Sequence, residues 1–215
     1  MFKDRKDAGT QLAERLKEYI GQENMLVLAL PRGGVVTGVE IAKRLSAPLD
    51  VLIVRKIGHP WQPELAVGAI SETGSIVYNE EVVASAGVTK DYLRSEAARQ
   101  RAEITRRQQL YRGGRKLVNL RGKTVILVDD GVATGATMKA AVETLKRQPV
   151  GKLVVAVPVA PPGTAVELQK TVDVFVCLDM PEDFMSVGSY YEDFMQVTDA
   201  DVMQLLQNFR HLAAA

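Results

Sequence analysis

Cysteine, histidine and tryptophan are scarce in this 215-residue sequence, which holds one, two and one of them. The single cysteine, Cys177, excludes an internal disulfide, and with no histidine near it in sequence it reads as a small core residue rather than a nucleophile. No apolar run approaches the roughly eighteen residues that a membrane helix needs. The first residues, Met1 to Lys6, are charged, so the cytoplasm is the expected compartment. Neither sign of charge prevails: a formal net charge of +1 gives no bulk electrostatic argument for a nucleic-acid or membrane partner. A hydrophobic content of 47% fits a soluble globular chain, and the length suits one α/β domain with a small appendage. Internal repeats, low-complexity stretches and linkers are also missing.

What is present begins with Val125-Ile126-Leu127-Val128-Asp129-Asp130-Gly131-Val132-Ala133-Thr134-Gly135-Ala136-Thr137. The apolar run has the length and branching of a buried parallel strand, and Met138 to Lys146 reads as the helix after it. A helix start offers unpaired N–H donors and a partial positive charge, so an anion held over Gly131 to Thr137 needs no Lys or Arg. Thr134 and Thr137 can add hydroxyl donors. Asp129 and Asp130 fall at the carboxyl end of the strand, where open α/β sheets bind ligands. Carboxylates accept hydrogen bonds without donating them, which suits a vicinal diol beside the anion, as in ribose 5-phosphate. An Mg²⁺ site or a helix cap would also use two such acids. A Walker loop is excluded, since no Gly-Lys-Ser/Thr follows.

The rest of the chain alternates strand and helix signals, which predicts an α/β fold with a mostly parallel sheet covered on both faces. A helix is expected over Asp7 to Ile20, a strand over Met25 to Leu30, and a helix over Val35 to Leu45. Between the last two lies Pro31-Arg32-Gly33-Gly34, a second strand, Gly loop and helix arrangement that should open at the same sheet edge. A second strand is expected through Val51 to Val54 into Arg55-Lys56. Ile57-Gly58-His59-Pro60-Trp61-Gln62-Pro63-Glu64 is then either a cover over a site or an irregular connection. A hairpin should turn at Thr73-Gly74. A long helix over Asp91 to Tyr111 has a thin apolar stripe of Leu93, Ala97, Ile104 and Tyr111, with arginines including Arg94, Arg99, Arg106, Arg107 and Arg112 assigned to its outer face and the segment after it. Strands over Lys152 to Val159 and Asp173 to Leu178 flank a helix over Gly163 to Thr171, and a last helix starts at Asp199.

The thirteen-residue motif resembles the phosphoribosyl diphosphate signature of the type I phosphoribosyltransferases: an apolar run, two acids, two variable residues, then Ala-Thr-Gly-x-Thr. With Leu30 to Gly34 and Arg55-Lys56-Ile57-Gly58, the sequence looks most like the bacterial members whose acceptor is not defined by their motifs. The resemblance covers about Met25 to Leu178 and, more loosely, the tail. It implies a single type I phosphoribosyltransferase-like domain over residues 1–215, with a core of about 25–178 and a small hood from about 1–24 and 179–215.

It also implies a reaction: displacement of diphosphate from C1 of phosphoribosyl diphosphate by a nitrogen acceptor, a nucleobase or related compound, within nucleotide metabolism. Asp129 and Asp130 would hold the ribose diol, and Gly131, Val132, Ala133, Thr134, Gly135, Ala136 and Thr137 the 5-phosphate. Arg32, Gly33 and Gly34 match the diphosphate loop, which in that family often holds a strained peptide bond. Lys56 would stabilise charge on the leaving diphosphate. Mg²⁺ is the implied cofactor, held mainly by substrate and through water to Asp129 and Asp130. Ala133 stands where 6-oxopurine enzymes have an Asp, and Ala160-Pro161-Pro162-Gly163 lacks their Lys, so the acceptor stays open. Met180 to Gly188 resembles a purine-type hood segment, which nominates Phe184 and Met185 for base binding, with Tyr190, Tyr191 and Phe194 competing.

The alternative function is a regulator that senses phosphoribosyl diphosphate and meets RNA or a protein through Arg94 to Lys123, with little catalysis. A homodimer through the long helix is compatible with either function.

Overall fold

A computed structural model describes residues 1–62 and 65–214, with side chains described through Arg210. The expected Ile57 to Glu64 segment therefore includes Pro63 and Glu64, which lie outside the described residues. The chain divides into two compact units, one comprising residues 1–51, 117–135 and 148–215 and the other residues 52–116 and 136–147.

The first unit is built on a parallel sheet. Its strands are β1 (Met25–Ala29), β2 (Leu49–Val51), β6 (Thr124–Val128), β7 (Lys152–Val159) and β8 (Val174–Asp179), in the order β2-β1-β6-β7-β8. Every pairing among them is parallel. All residues of β1 are buried, as are Val125 to Val128 of β6, which explains why these strands read as continuous apolar runs rather than alternating ones. The helices of this unit are α1 (Arg5–Arg15), α2 (Gly33–Leu45), α6 (Pro162–Gln169) and α7 (Asp199–Ala214). α1 starts early because Asp4 caps it: the carboxylate accepts from the backbone N–H groups of Lys6 and Asp7, both at 2.8 Å. Its buried face, including Ala8, Leu12 and Ala13, packs against α2. This mixed architecture, a parallel sheet flanked by helices, is the α/β fold that the alternation of strand and helix signals predicted.

The second unit holds an antiparallel sheet of β3 (Val54–Gly58), β4 (Ala66–Ser71) and β5 (Ile76–Tyr78) with α3 (Glu80–Ser85), α4 (Lys90–Arg112) and α5 (Ala136–Lys146). The turn between β4 and β5 contains Gly74 at φ +86°, as the Thr73-Gly74 signal required. α4 is capped by Thr89, whose Oγ1 accepts from Tyr92 N–H at 3.2 Å, and ends at Gly113 with φ +61°. Leu93, Ala97, Ile104 and Tyr111 are all buried, so the thin stripe is the packing face.

Two expectations need correction here. The single strand read through Val51 into Lys56 is two strands in two different sheets, β2 and β3. The break follows from hydrogen bonding: Ile53 N–H donates to Glu72 Oε1 at 2.8 Å and Glu72 N–H donates to Ile53 O at 2.9 Å, so Ile53 is engaged by the segment after β4. Lys56 accordingly sits in the middle of β3, opposite Ala69, and does not end a buried strand. The second correction is Arg112, placed by its charge among outward-facing arginines. It is buried, and its guanidinium pairs with the equally buried Glu72 carboxylate. α3 is an element that no expectation included; its N-cap, Asn79, accepts from Val82 N–H.

Candidate active site

Parallel pairing of β1 with β6 sets Ala29 beside Val128, so the loops leaving these two strands emerge side by side within the first unit. That register brings together two motifs almost a hundred residues apart in sequence. The contact is close: a β-carbon at Gly33 would overlap Asp130 Oδ2, and one at Gly34 would lie 2.9 Å from Asp129 Oδ1. Only glycine lets both carboxylates rest against the backbone of the first loop. The Pro31–Arg32 peptide bond in that loop is cis.

The acid loop is tied down along its length. Asp130 N–H donates to Asp129 Oδ1 at 2.9 Å, Val132 N–H to Val159 O at 2.9 Å, and Thr164 Oγ1 to Ala133 O at 3.0 Å. Gly131 has φ +151°, and a side chain there would strike Val187. Ala133 and Thr134 are exposed, Gly135 is buried, and the chain continues into α5, which opens at Ala136 in the second unit. Ala136 and Thr137 are half-buried there.

The electrostatics of the acid pair are lopsided. Asp129 is only partly exposed and densely surrounded; burial, then the charge of Asp130, push its carboxyl well above the usual aspartate range. Asp130 has a cationic partner in Arg5, whose Nε donates to Oδ2 at 2.6 Å. The Arg5 guanidinium lies over the Phe194 ring, 3.7 Å from its centroid, and its Nη1 donates to Met195 O at 2.8 Å. Tyr191 donates its hydroxyl to Asp130 O at 2.6 Å, and burial raises its pKa, so it stays a donor. Arg5, Arg32, Gly33, Phe194, Gln196 and Val197 line a cavity of about 370 Å³.

The candidate base-binding residues lie in the tail of the same unit. Phe184 is half-buried and stacks on Tyr190, with ring centroids 5.5 Å apart and planes 20° apart. Both pack against a small core of Phe2, Ala8, Val159 and Tyr191, while Met185 is 86% exposed. Cys177 is half-buried; its Sγ donates to Asp179 O at 3.1 Å, and burial pushes the thiol up to about 11, in keeping with an inert role.

Four of the expected residues, Gly33, Gly34, Asp129 and Asp130, thus meet directly, and Arg32 lines the adjoining cavity. Lys56 belongs to the second unit, where it is half-buried on β3. Arg5 and Gln196 were missed. Arg5 stands in a charged N-terminal stretch with no motif around it, and its only sequence signal is the Asp4 cap that starts its helix one residue later.

The comparisons with known proteins show the family. A family model described as the phosphoribosyl transferase domain matches residues 2–194. Two Mycobacterium tuberculosis proteins, from strains CDC 1551 / Oshkosh and ATCC 25618 / H37Rv, each carry the name "Putative phosphoribosyl transferase". Both are 44% identical over 206 residues, which is 96% of this chain and 46% of theirs. The crystal structure of TT1426 from Thermus thermophilus is 45% identical with a TM-score of 0.82, covering 97% of this chain and 99% of that one. The chain belongs to the phosphoribosyl transferase domain family. It spans about half the length of the curated relatives it matches.

Proposed function

We propose that this chain is a phosphoribosyltransferase that moves the 5-phosphoribosyl group from phosphoribosyl diphosphate to a nitrogen acceptor and releases diphosphate. The observation that carries this reading is the packing of Gly33 and Gly34 onto Asp130 and Asp129. It juxtaposes a loop suited to a diphosphate with a carboxylate pair suited to a ribose diol, as one elongated donor needs. That residues 1–215 act as one catalytic domain in the cytoplasm belongs to the same proposal.

In this reading Asp129 and Asp130 accept the ribose hydroxyls, which fixes C1 for attack. The backbone of Gly131 to Gly135, with the Thr134 hydroxyl, donates to the 5-phosphate, and Ala136 and Thr137 complete that loop at the start of α5. Arg32 and the N–H groups of Gly33 and Gly34 take the diphosphate. The role of Lys56, countering charge on the leaving group, is carried over from the resemblance alone. Bond breaking places cationic character on the ribose, which the adjacent carboxylates favour.

The acid pair also fits a divalent cation, since two close carboxylates, one of them destabilised as an anion, gain from a positive neighbour. Mg²⁺ would be held mainly by donor oxygens, with Asp129 and Asp130 reached through water, as its preference for keeping water ligands favours. The chemistry it would supply when bound is neutralisation of charge on the departing diphosphate.

The acceptor is a flat nitrogen heterocycle in this proposal, with the stacked Phe184 and Tyr190 as its aromatic neighbours and Met185 beside them. The regulator reading would place its contact surface on the stretch that includes α4. Arg99 pairs with Glu96, Arg106 and Arg107 pair with Glu103, and Arg112 is buried on Glu72, so much of the basic stretch is compensated. The test is diphosphate release from phosphoribosyl diphosphate with Mg²⁺ over a panel of purines, pyrimidines and small amines. Release that depends on one acceptor is the expected outcome; no release with any of them would contradict the transferase.

A further inference from the structure

Resting on the donor-site reading, we propose that Arg5 is a diphosphate-binding residue, parked on Asp130 before the donor binds and handed over to it when the ribose diol takes that carboxylate. Three observations converge on it. First, Arg5 takes Oδ2 of Asp130 at 2.6 Å, one of the positions from which this carboxylate would accept an incoming hydroxyl. Second, the guanidinium is held from behind by the Phe194 ring at 3.7 Å and by Met195 O at 2.8 Å. These contacts do not involve Asp130, so they keep the group at the site once the ion pair opens. Third, the cavity it lines contains a second guanidinium, Arg32, and the Gly33 backbone. Two cations and the first turn of α2 around one cavity describe a place for an anion with several oxygens.

The exchange also follows a charge balance. Before the donor arrives, Arg5 offsets Asp130 beside the half-buried Asp129. The donor brings hydroxyls for the acids and negative oxygens for the guanidinium, so neither charge is left uncompensated. Arg5 is thereby aligned with the leaving group, while the tail stays attached to α1 through Phe194 and Met195.

The experiment measures binding of two ligands, inorganic diphosphate and ribose 5-phosphate, each with Mg²⁺, by titration calorimetry on the wild type, Arg5→Ala and Arg5→Lys. Arg5→Ala should weaken diphosphate about tenfold or more, the effect of losing one hydrogen bond between charged groups. It should leave ribose 5-phosphate unchanged or tighter, because Asp130 is released. Arg5→Lys should recover part of the diphosphate affinity, having the charge without the planar fork, and it guards against misfolding of the alanine variant. Equal weakening of both ligands in Arg5→Ala would make Arg5 a support for Asp130 and overturn the proposal, as would unchanged diphosphate binding. A wild type that binds neither ligand would instead sink the donor site itself, and the role of Arg5 with it.

Discussion

Asp129 carries a conflict between stability and binding. Its carboxyl is raised by burial and by Asp130, so the ionised form is disfavoured in the folded protein. The contribution of this group to stability is therefore present in full below its unfolded value and is lost as pH rises through the folded one. Asp129→Asn removes the penalty at neutral pH and keeps an acceptor for Asp130 N–H. It should raise the melting temperature by about 2–4 °C, the shift that ~1 kcal/mol makes in a chain of this size, while abolishing ribose 5-phosphate binding. A melting temperature that falls would show that the carboxylate stabilises the loop. The same shift governs pH: wild-type ribose 5-phosphate affinity should fall on acidification while still above the ordinary aspartate range, as checked by titrations across pH. Both acids are half-buried, so a double change of Asp129 and Asp130 would also remove the carboxylate that Arg5 pairs with. Lys56 is the complementary case. Lys56→Ala should lower turnover more than donor affinity if Lys56 has the role that the resemblance implies, because a charge countering the leaving group matters most as diphosphate departs; steady-state kinetics with an unchanged kcat would remove it from the reaction.

At the scale of elements, β6 and its loop were fully legible, since a buried parallel strand and a helix start both leave local signatures. The β4–β5 hairpin was legible for the same reason. β2 and β3 were not separable, because no glycine or proline marks the break at Leu52-Ile53 and the interruption comes from Glu72, nineteen residues on. Glu72 also receives Gln108 at 3.1 Å and the buried Arg112, so one carboxylate ties β3, the β4 end and α4 together within the second unit. Charge alone assigns such an arginine to the surface; burial becomes visible only when its partner is. Glu72→Ala removes the carboxylate that pairs with a buried guanidinium and should destabilise the protein by about 3–5 kcal/mol, measured by denaturant unfolding. A loss below ~1 kcal/mol, the scale of an exposed pair, would mean that water reaches Arg112.

Across the whole molecule, the residues of the proposed donor site were legible in the sequence and those around the proposed acceptor site were not. The former lie in contiguous loops at strand ends, where spacing survives in one dimension. The environment around Phe184 is assembled instead from the N-terminal Phe2, the end of β7 and the tail, and no local pattern announces that convergence. Arg5 was hidden for the same reason, meeting Asp130 across 125 residues. The curated relatives are about twice as long as this chain, which leaves the activity of those whole proteins outside what its two units account for. The central claim is that the acid loop and the Arg32-Gly33-Gly34 loop form one donor site. Calorimetric titration of phosphoribosyl diphosphate with Mg²⁺ into the wild type and Asp129→Asn tests it most directly: the account predicts saturable one-site binding to the wild type that the substitution abolishes, and equal binding to both proteins would contradict it.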